Sequence, residues 1–154
     1  MWRLAQIEDS ARIIGMCRDL YFEDPGEDAR RGEKHIEQTL AELRANPVRG
    51  KAAVLELDRE IVGYALLISY WSNEFNGEFC TIDELFVEPG FRGKGFASEL
   101  VRMLQKPQNH LWPRRPAAIM VEAYRTNPRA KKLYERLGFE PNPNHHMVYL
   151  VPET

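Results

Sequence analysis

The sequence predicts an α/β fold: a mixed, mostly antiparallel central sheet of six to seven strands, flanked by about four helices. Three observations carry that reading. Apolar residues recur at helical spacing in four separate stretches. Between them lie runs rich in Val, Ile, Leu, Phe and Tyr, bounded by charged turns or prolines. One strand-helix-strand stretch, from Phe79 to Tyr124, calls for a right-handed parallel crossover inside an otherwise hairpin-linked set. The 154 residues suit one domain, 1–154, and a hydrophobic share of 44% is enough to fill its core.

The elements follow in order. "WRLAQIED" reads as a short first strand. Asp9 or Ser10 then caps a helix with Ile13, Ile14, Cys17, Leu20 and Tyr21 on one face. "FEDPGEDARRG" is a polar loop. "EKHIEQTLAELRAN" is a second amphipathic helix, stopped at Asn46-Pro47 because a residue before proline is pushed out of the helical region. "KAAVLELD" and "EIVGYALLISYW" form a hairpin around Asp58-Arg59-Glu60, and the second run, apolar on both faces, is a central strand. "FCTIDELFVE" is a further strand with two acids in its middle. A third helix carries Phe96, Ala97, Leu100, Val101 and Leu104 on one face. After the loop "PQNHLWPRRP", "AAIMVEAY" is a buried strand. "NPRAKKLYERLGF" is a helix with clear ends: Asn127 as cap, Pro128 in the first position and Gly138 as the stop. "HHMVYLVP" alternates as a closing strand. The order is β-α-α-β-β-β-α-β-α-β.

Bulk composition excludes several functions. A formal net charge of −2 gives no electrostatic case for nucleic acid. No apolar stretch nears the roughly 20 residues of a membrane span, and no charged leader precedes the first helix. Cys17 and Cys80 sit in apolar surroundings and read as reduced core thiols. A cytoplasmic location fits these features. His145 and His146 are adjacent on an expected strand and diverge, while His35 and His110 lack spaced partners, so no metal site is expected.

The most specific stretch is "FVEPGFRGKGFASEL", residues 86–100. A strand stops at a proline, three glycines and two cations follow, and a helix begins. Amides at a helix N-terminus lack intrahelical partners, the helix dipole adds partial positive charge, and glycine lets an anion come close. Arg92 and Lys94 add full charges. A phosphate or diphosphate suits this chemistry. The stretch is not a dinucleotide fingerprint, because Gly93-Lys94-Gly95-Phe96-Ala97-Ser98 ends in serine. Nor is it a Walker-type loop, because Phe96-Ala97 stands where Lys-Ser is needed. A purely structural tight turn is the other reading of the same glycines.

Val87, Pro89, Arg92, Gly93, Gly95 and Ala97 resemble the cofactor motif of the GNAT superfamily of N-acetyltransferases, Q/R-x-x-G-x-G/A after a strand ending V-x-P. Downstream, "NPRAKKLYERLGF" is similar to the family's second signature, N-x-x-A-x-x-L-Y-x-x-x-G-F. The resemblance spans residues 51 to 139. It implies acetyl-CoA as cosubstrate, with its diphosphate on the amides of Arg92, Gly93, Lys94, Gly95, Phe96 and Ala97. The pantetheine would run along Leu85, Phe86 and Val87, between two strands that splay apart. Asn127 would contact the cofactor arm, and Tyr134 would be the general acid beside the sulfur. It also implies that no metal takes part, and the terminal strand is a candidate edge for a homodimer.

The chemistry asks for three further roles. An amine with pKa near about 10.4 must lose a proton before attack, so a base is wanted. The developing oxyanion wants a donor, and the Leu85 N–H can supply it. Asp83 and Glu84 are adjacent, so they point to opposite faces of a regular strand. Asp83 shares parity with Leu85 and Val87 and is expected to face the acetyl group. Glu84 is the alternative, and a bulge would exchange the two. A water relay, or no protein base, also satisfies the sequence. Tyr21, Glu23, Asp24, Glu27, Asp28, Tyr70, Trp71, Glu74, Phe75 and Glu78 interleave carboxylates with aromatics in the segments expected to form the acceptor pocket. Such a mixture suits a small cationic amine, although acidic loops are often only solvated. A protein or peptide amine, and a non-catalytic acetyl-CoA sensor, are the competing readings.

Overall fold

The computed structural model describes residues 1–23, 33–112, 114–123 and 127–144. Five strands and four helices lie in them: β1 (Trp2–Leu4), α1 (Ser10–Glu23), α2 (Glu33–Ala45), β2 (Gly50–Leu57), β3 (Glu60–Ser72), β4 (Gly77–Val87), α3 (Phe96–Gln105), β5 (Ala118–Val121) and α4 (Pro128–Arg136). The strands form one sheet in the order β1-β2-β3-β4-β5. The first three pairings are antiparallel and β4–β5 is parallel. The mixed, mostly antiparallel sheet matches the expectation, with five strands instead of six to seven among the described residues. The closing strand expected at "HHMVYLVP" lies outside them.

Local chemistry accounts for the joints. Between β2 and β3, Asp58 and Arg59 both take positive φ, 49° and 69°, the twist that a tight hairpin requires. Asp9, one of the two expected caps of α1, turns its carboxylate to Arg3 (2.7 Å) and to the Gln6 N–H (2.8 Å), while α1 begins at Ser10. The Arg3 guanidinium holds the Asp9 carboxyl below the usual range. The N-terminal strand also reaches the third helix: the Trp2 indole N–H donates to the Phe96 carbonyl at 2.9 Å.

The sheet is covered on both faces. On one, α1 and α2 bring Ile13, Met16, Cys17, Ile36, Leu40 and Leu43 onto Val54, Tyr64, Leu66 and Phe86. On the other, Leu100, Val101 and Leu104 of α3, with Leu111 and Trp112, pack on Leu55, Leu67, Cys80 and Ile82. Each large apolar side chain so buried contributes roughly 1.5–3 kcal/mol.

Two irregularities in β4 shape everything that follows. Opposite β3, Glu84 pairs with Leu66 but Ile82 pairs with Leu67, so Asp83 is an extra, bulged residue. The alternation reverses there: Ile82, Leu85 and Val87 belong to the α3 face, and Phe86 to the α1 face. Opposite β5, pairing runs only from Phe79–Ala118 to Ile82–Val121. Beyond Ile82, β4 continues for five residues with no strand on that side among the described residues.

Candidate active site

A cavity of about 420 Å³ opens where β4 loses its partner. Its walls come from the end of β4, the glycine turn, the start of α3, the end of α1 and the inner face of α4.

The turn is built as an anion cradle. Gly93 and Gly95 have φ of 78° and 88°, in the left-handed region that glycine enters without strain. Gly95 is the N-cap of α3. The first helical bond runs from the Glu99 N–H to the Gly95 carbonyl, so the amides of Phe96, Ala97 and Ser98 have no acceptor within the helix. All three residues line the cavity. A Cβ at Gly93 or Gly95 would touch no other part of the protein. The positive φ explains why glycine stands there, and the empty space above it is what a ligand can use. Lys94 does not line the cavity; its ammonium lies 5.1 Å from the centre of the Phe91 ring.

The open edge of β4 has a defined set of free groups. The Glu88 N–H donates to the Val62 carbonyl at 2.9 Å, so even-numbered backbone groups face β3 and those of Leu85 and Val87 face the gap. β5 ends at Val121, level with Ile82, so among the described residues no strand lies beside Leu85 and Val87. The Val87 carbonyl accepts from Arg92 Nε at 2.6 Å.

Arg92 and Glu23 meet across the mouth. Arg92 Nη2 donates to both carboxylate oxygens of Glu23, at 2.9 and 2.8 Å, and its guanidinium lies 5.2 Å from the Phe86 ring centre. Glu23, expected on the acceptor side, stands in the wall of the cofactor cavity.

α4 supplies the phenol. Asn127 Oδ1 accepts from the Ala130 N–H at 3.0 Å, which fixes the helix start. About two turns later, Tyr134 enters the cavity, its ring edge-on to Phe139 at 5.5 Å between centroids. Burial pushes its pKa up, so it keeps its proton at neutral pH. Asn127 also lines the cavity, with that oxygen engaged in capping.

The bulge settles where the strand acids point. Asp83, expected to face the acetyl group, is instead the exposed bulged residue, outside the cavity lining. Glu84 turns under α1. One oxygen accepts from the Tyr64 hydroxyl at 2.7 Å, the other from the Tyr21 hydroxyl, and the Cys17 thiol lies 3.9 Å away. Burial, reinforced by the carboxylate, pushes both phenols and the thiol up. Tyr21, expected in the acceptor pocket, is here as Glu84's partner. Tyr64 was not singled out by the sequence. It sits in an apolar run, and only the register that sets it opposite Phe86 reveals its neighbour.

Trp71 and Glu74 do not join this site. Trp71 pairs with Glu78, six residues before Glu84, or about 20 Å along a strand that rises about 3.3 Å per residue. Trp71 is 67% exposed, beside a different cavity. Glu74 lies in the exposed β3–β4 turn. Asp24, Glu27 and Asp28 lie outside the described residues. Among the described residues, no group of three or more His, Cys, Asp or Glu could hold a metal, and no helix is long and apolar enough to cross a membrane.

The model of the acetyltransferase (GNAT) family matches residues 7–139. The chain belongs to the GNAT family. The protein is similar in structure to a possible acetyltransferase from Clostridium difficile 630, with a TM-score of 0.81, 20% identity, and coverage of 99% of this chain and 98% of that one. A predicted acetyltransferase from Clostridium acetobutylicum, solved with acetyl-CoA, aligns with a TM-score of 0.72 and 17% identity over 97% and 95% of the two chains. In sequence, this acetyltransferase is 28% identical over 153 residues to the spore coat polysaccharide biosynthesis protein SpsD of Bacillus subtilis. That alignment covers 94% of this chain and 48% of SpsD, so the chain spans about half the length of that relative.

Proposed function

We propose that this chain is an N-acetyltransferase that moves the acetyl group of acetyl-CoA to the primary amine of a small cationic acceptor, by direct attack. One observation carries the reading. Glu84 and Leu85 are consecutive and so face opposite sides of β4, and Glu84, itself outside the cavity lining, is a carboxylate under α1 that stands next to the open backbone edge of the cavity.

The roles follow from that arrangement. The diphosphate lies on the amides of Phe96, Ala97 and Ser98, and the pantetheine takes the unpaired edge of β4 like an added strand. The thioester carbonyl accepts from the Leu85 N–H. Glu84, oriented by Tyr64 and Tyr21, takes the proton of the attacking amine, directly or through water. The C–N bond forms, the C–S bond breaks, and Tyr134 gives its proton to the departing thiolate. Asp83, exposed on the bulge, is the second candidate for the base. A carboxylate ringed by phenols favours a cationic acceptor through charge and aromatic contact.

The similarity to SpsD, named for polysaccharide biosynthesis, supports a second reading in which the amine is carried by a sugar. The test is thiol release from acetyl-CoA with polyamines, aminoglycosides, amino sugars, diamino acids and peptides. Turnover with small cationic amines supports the first reading, and turnover confined to amino sugars the second. Turnover confined to peptides refutes both. Binding of acetyl-CoA with no turnover would leave a sensor.

A further inference from the structure

The cavity contains a contradiction. Its floor is a helix N-terminus with three unsatisfied amides, which invites an anion. Its rim carries a carboxylate, Glu23, which repels one. Arg92, which shares the walls with Arg129 and Arg136, is already engaged: Nε on the Val87 carbonyl, Nη2 on both Glu23 oxygens, and the guanidinium face on Phe86. The arginine that sequence reasoning assigns to the cofactor's phosphates is thus bound to an internal rival. Glu23 is also the last residue of α1, the helix that brings Tyr21 and Cys17 to Glu84.

We infer that Glu23 is a resident competitor of the cofactor's diphosphate for Arg92, and that the exchange of partners couples cofactor binding to the end of α1. With the cavity unfilled, the Glu23–Arg92 pair straps α1 to the cofactor turn. An arriving diphosphate takes Arg92 by a stronger, doubly charged contact, and Glu23 is released. The end of α1 then becomes free to adjust on the acceptor side only when acetyl-CoA is in place. Glu23 is a positioning residue here, acting through Arg92 and touching neither reacting atom.

The inference rests on the proposed seat of acetyl-CoA, and the experiment separates the two. Calorimetry would measure binding of acetyl-CoA and of S-acetylpantetheine, which lacks the diphosphate, to wild type, Glu23→Gln, Arg92→Gln and the double variant. Removing the rival charge should tighten acetyl-CoA binding by about two- to fivefold, the scale of a partly exposed ion pair, and leave S-acetylpantetheine unchanged. Arg92→Gln should weaken acetyl-CoA binding, because a bare Glu23 then faces the diphosphate. The double variant should recover part of that loss, as a coupling between neighbours requires. The tightening by Glu23→Gln should shrink in high salt.

Equal or weaker binding of acetyl-CoA by Glu23→Gln would overturn the inference. So would an equal gain for both probes, which would mean that the side chain acts by shape alone. If wild type binds acetyl-CoA no better than S-acetylpantetheine, the seat of the diphosphate is wrong and the inference falls with it. Thermal unfolding without ligand checks folding, and if Glu23→Gln melts far below wild type, Glu23→Ala, which also removes the charge, takes its place with the same expected tightening for acetyl-CoA alone.

Discussion

On the cofactor side of β4 the site is made of backbone: the amides of α3 and the edge of Leu85 and Val87. On the acceptor side it is made of side chains: Glu84 held by Tyr64 and Tyr21. The same strand serves both, through consecutive residues that face opposite sides of the sheet, Glu84 on one and Leu85 on the other. A backbone site is fixed by conformation and tolerates changes of side chain, provided glycine stays where φ is positive. A side-chain site is fixed by identity and fails when one atom type changes. The former suits a ligand common to a whole family, and the latter an acceptor that differs between members.

The largest expected effect breaks the backbone half. Gly95→Val places a β-branched residue at φ 88°, which costs about 1–2 kcal/mol in strain and fills the space left for the anion. Acetyl-CoA affinity should fall at least about 100-fold by calorimetry. Because a Cβ there meets no other protein atom, the melting temperature should move by only a few degrees. Loss of the fold with loss of binding would make the turn structural.

Next comes the side-chain half. Glu84→Gln should lower kcat by about 100-fold with acetyl-CoA binding intact. Tyr64→Phe should lower it by less, about tenfold, because the Tyr21 hydroxyl and the Cys17 thiol still hold the carboxylate. If Asp83→Asn has the larger effect, the base lies on the bulge itself.

Tyr134→Phe sharpens the comparison, since α4 belongs to the cofactor side yet offers a side chain. A thiolate leaves readily, so the loss in kcat should be about tenfold, the low end for proton transfer. Burial raises this phenol's pKa, so it keeps its proton beyond the usual value of about 10. Wild-type kcat should therefore show no alkaline loss from this group below that pH.

The smallest effect concerns stability alone. Burial pushes the Cys80 thiol up from 9.0 to about 12. The unfolded chain loses this proton near pH 9 and the folded one near 12. The thiol's contribution is whole below pH 9 and is lost as pH rises through that window. Melting temperature should fall more steeply above pH 9 in wild type than in Cys80→Ala, whose baseline is lower because of the cavity.

The sequence exposes the backbone half because conformation leaves marks in it: glycines at Gly93 and Gly95, proline before them, and the Asn127-Pro128 helix start. The same punctuation made the helices and the hairpin at Asp58-Arg59 readable. The side-chain half depends on register, and register leaves weaker marks. Nothing in "TIDELFV" shows that Asp83 is extra, so parity set it with Leu85 and Val87, whereas Glu84 keeps the face of Phe86 that parity gave it. Tyr64 was hidden for the same reason. Trp71 and Glu74 looked like acceptor residues by composition, but a strand of 13 residues carries them to the far end of the sheet.

The parting of β4 from β5 has a consequence for the protein among its neighbours in a crowded solution. An unpaired strand edge is a template on which any extended chain can add, which is how edge-to-edge aggregation starts. Here the edge lies at the bottom of a cleft walled by Leu20 and Glu23 of α1 and by Leu133 and Tyr134 of α4, with Arg92 across its mouth. A peptide strand would have to set side chains against both of those walls, whereas an arm of methylenes and amides carries far fewer. The cleft is therefore a sieve, offering strand-like hydrogen bonds to a thread and withholding them from a ribbon.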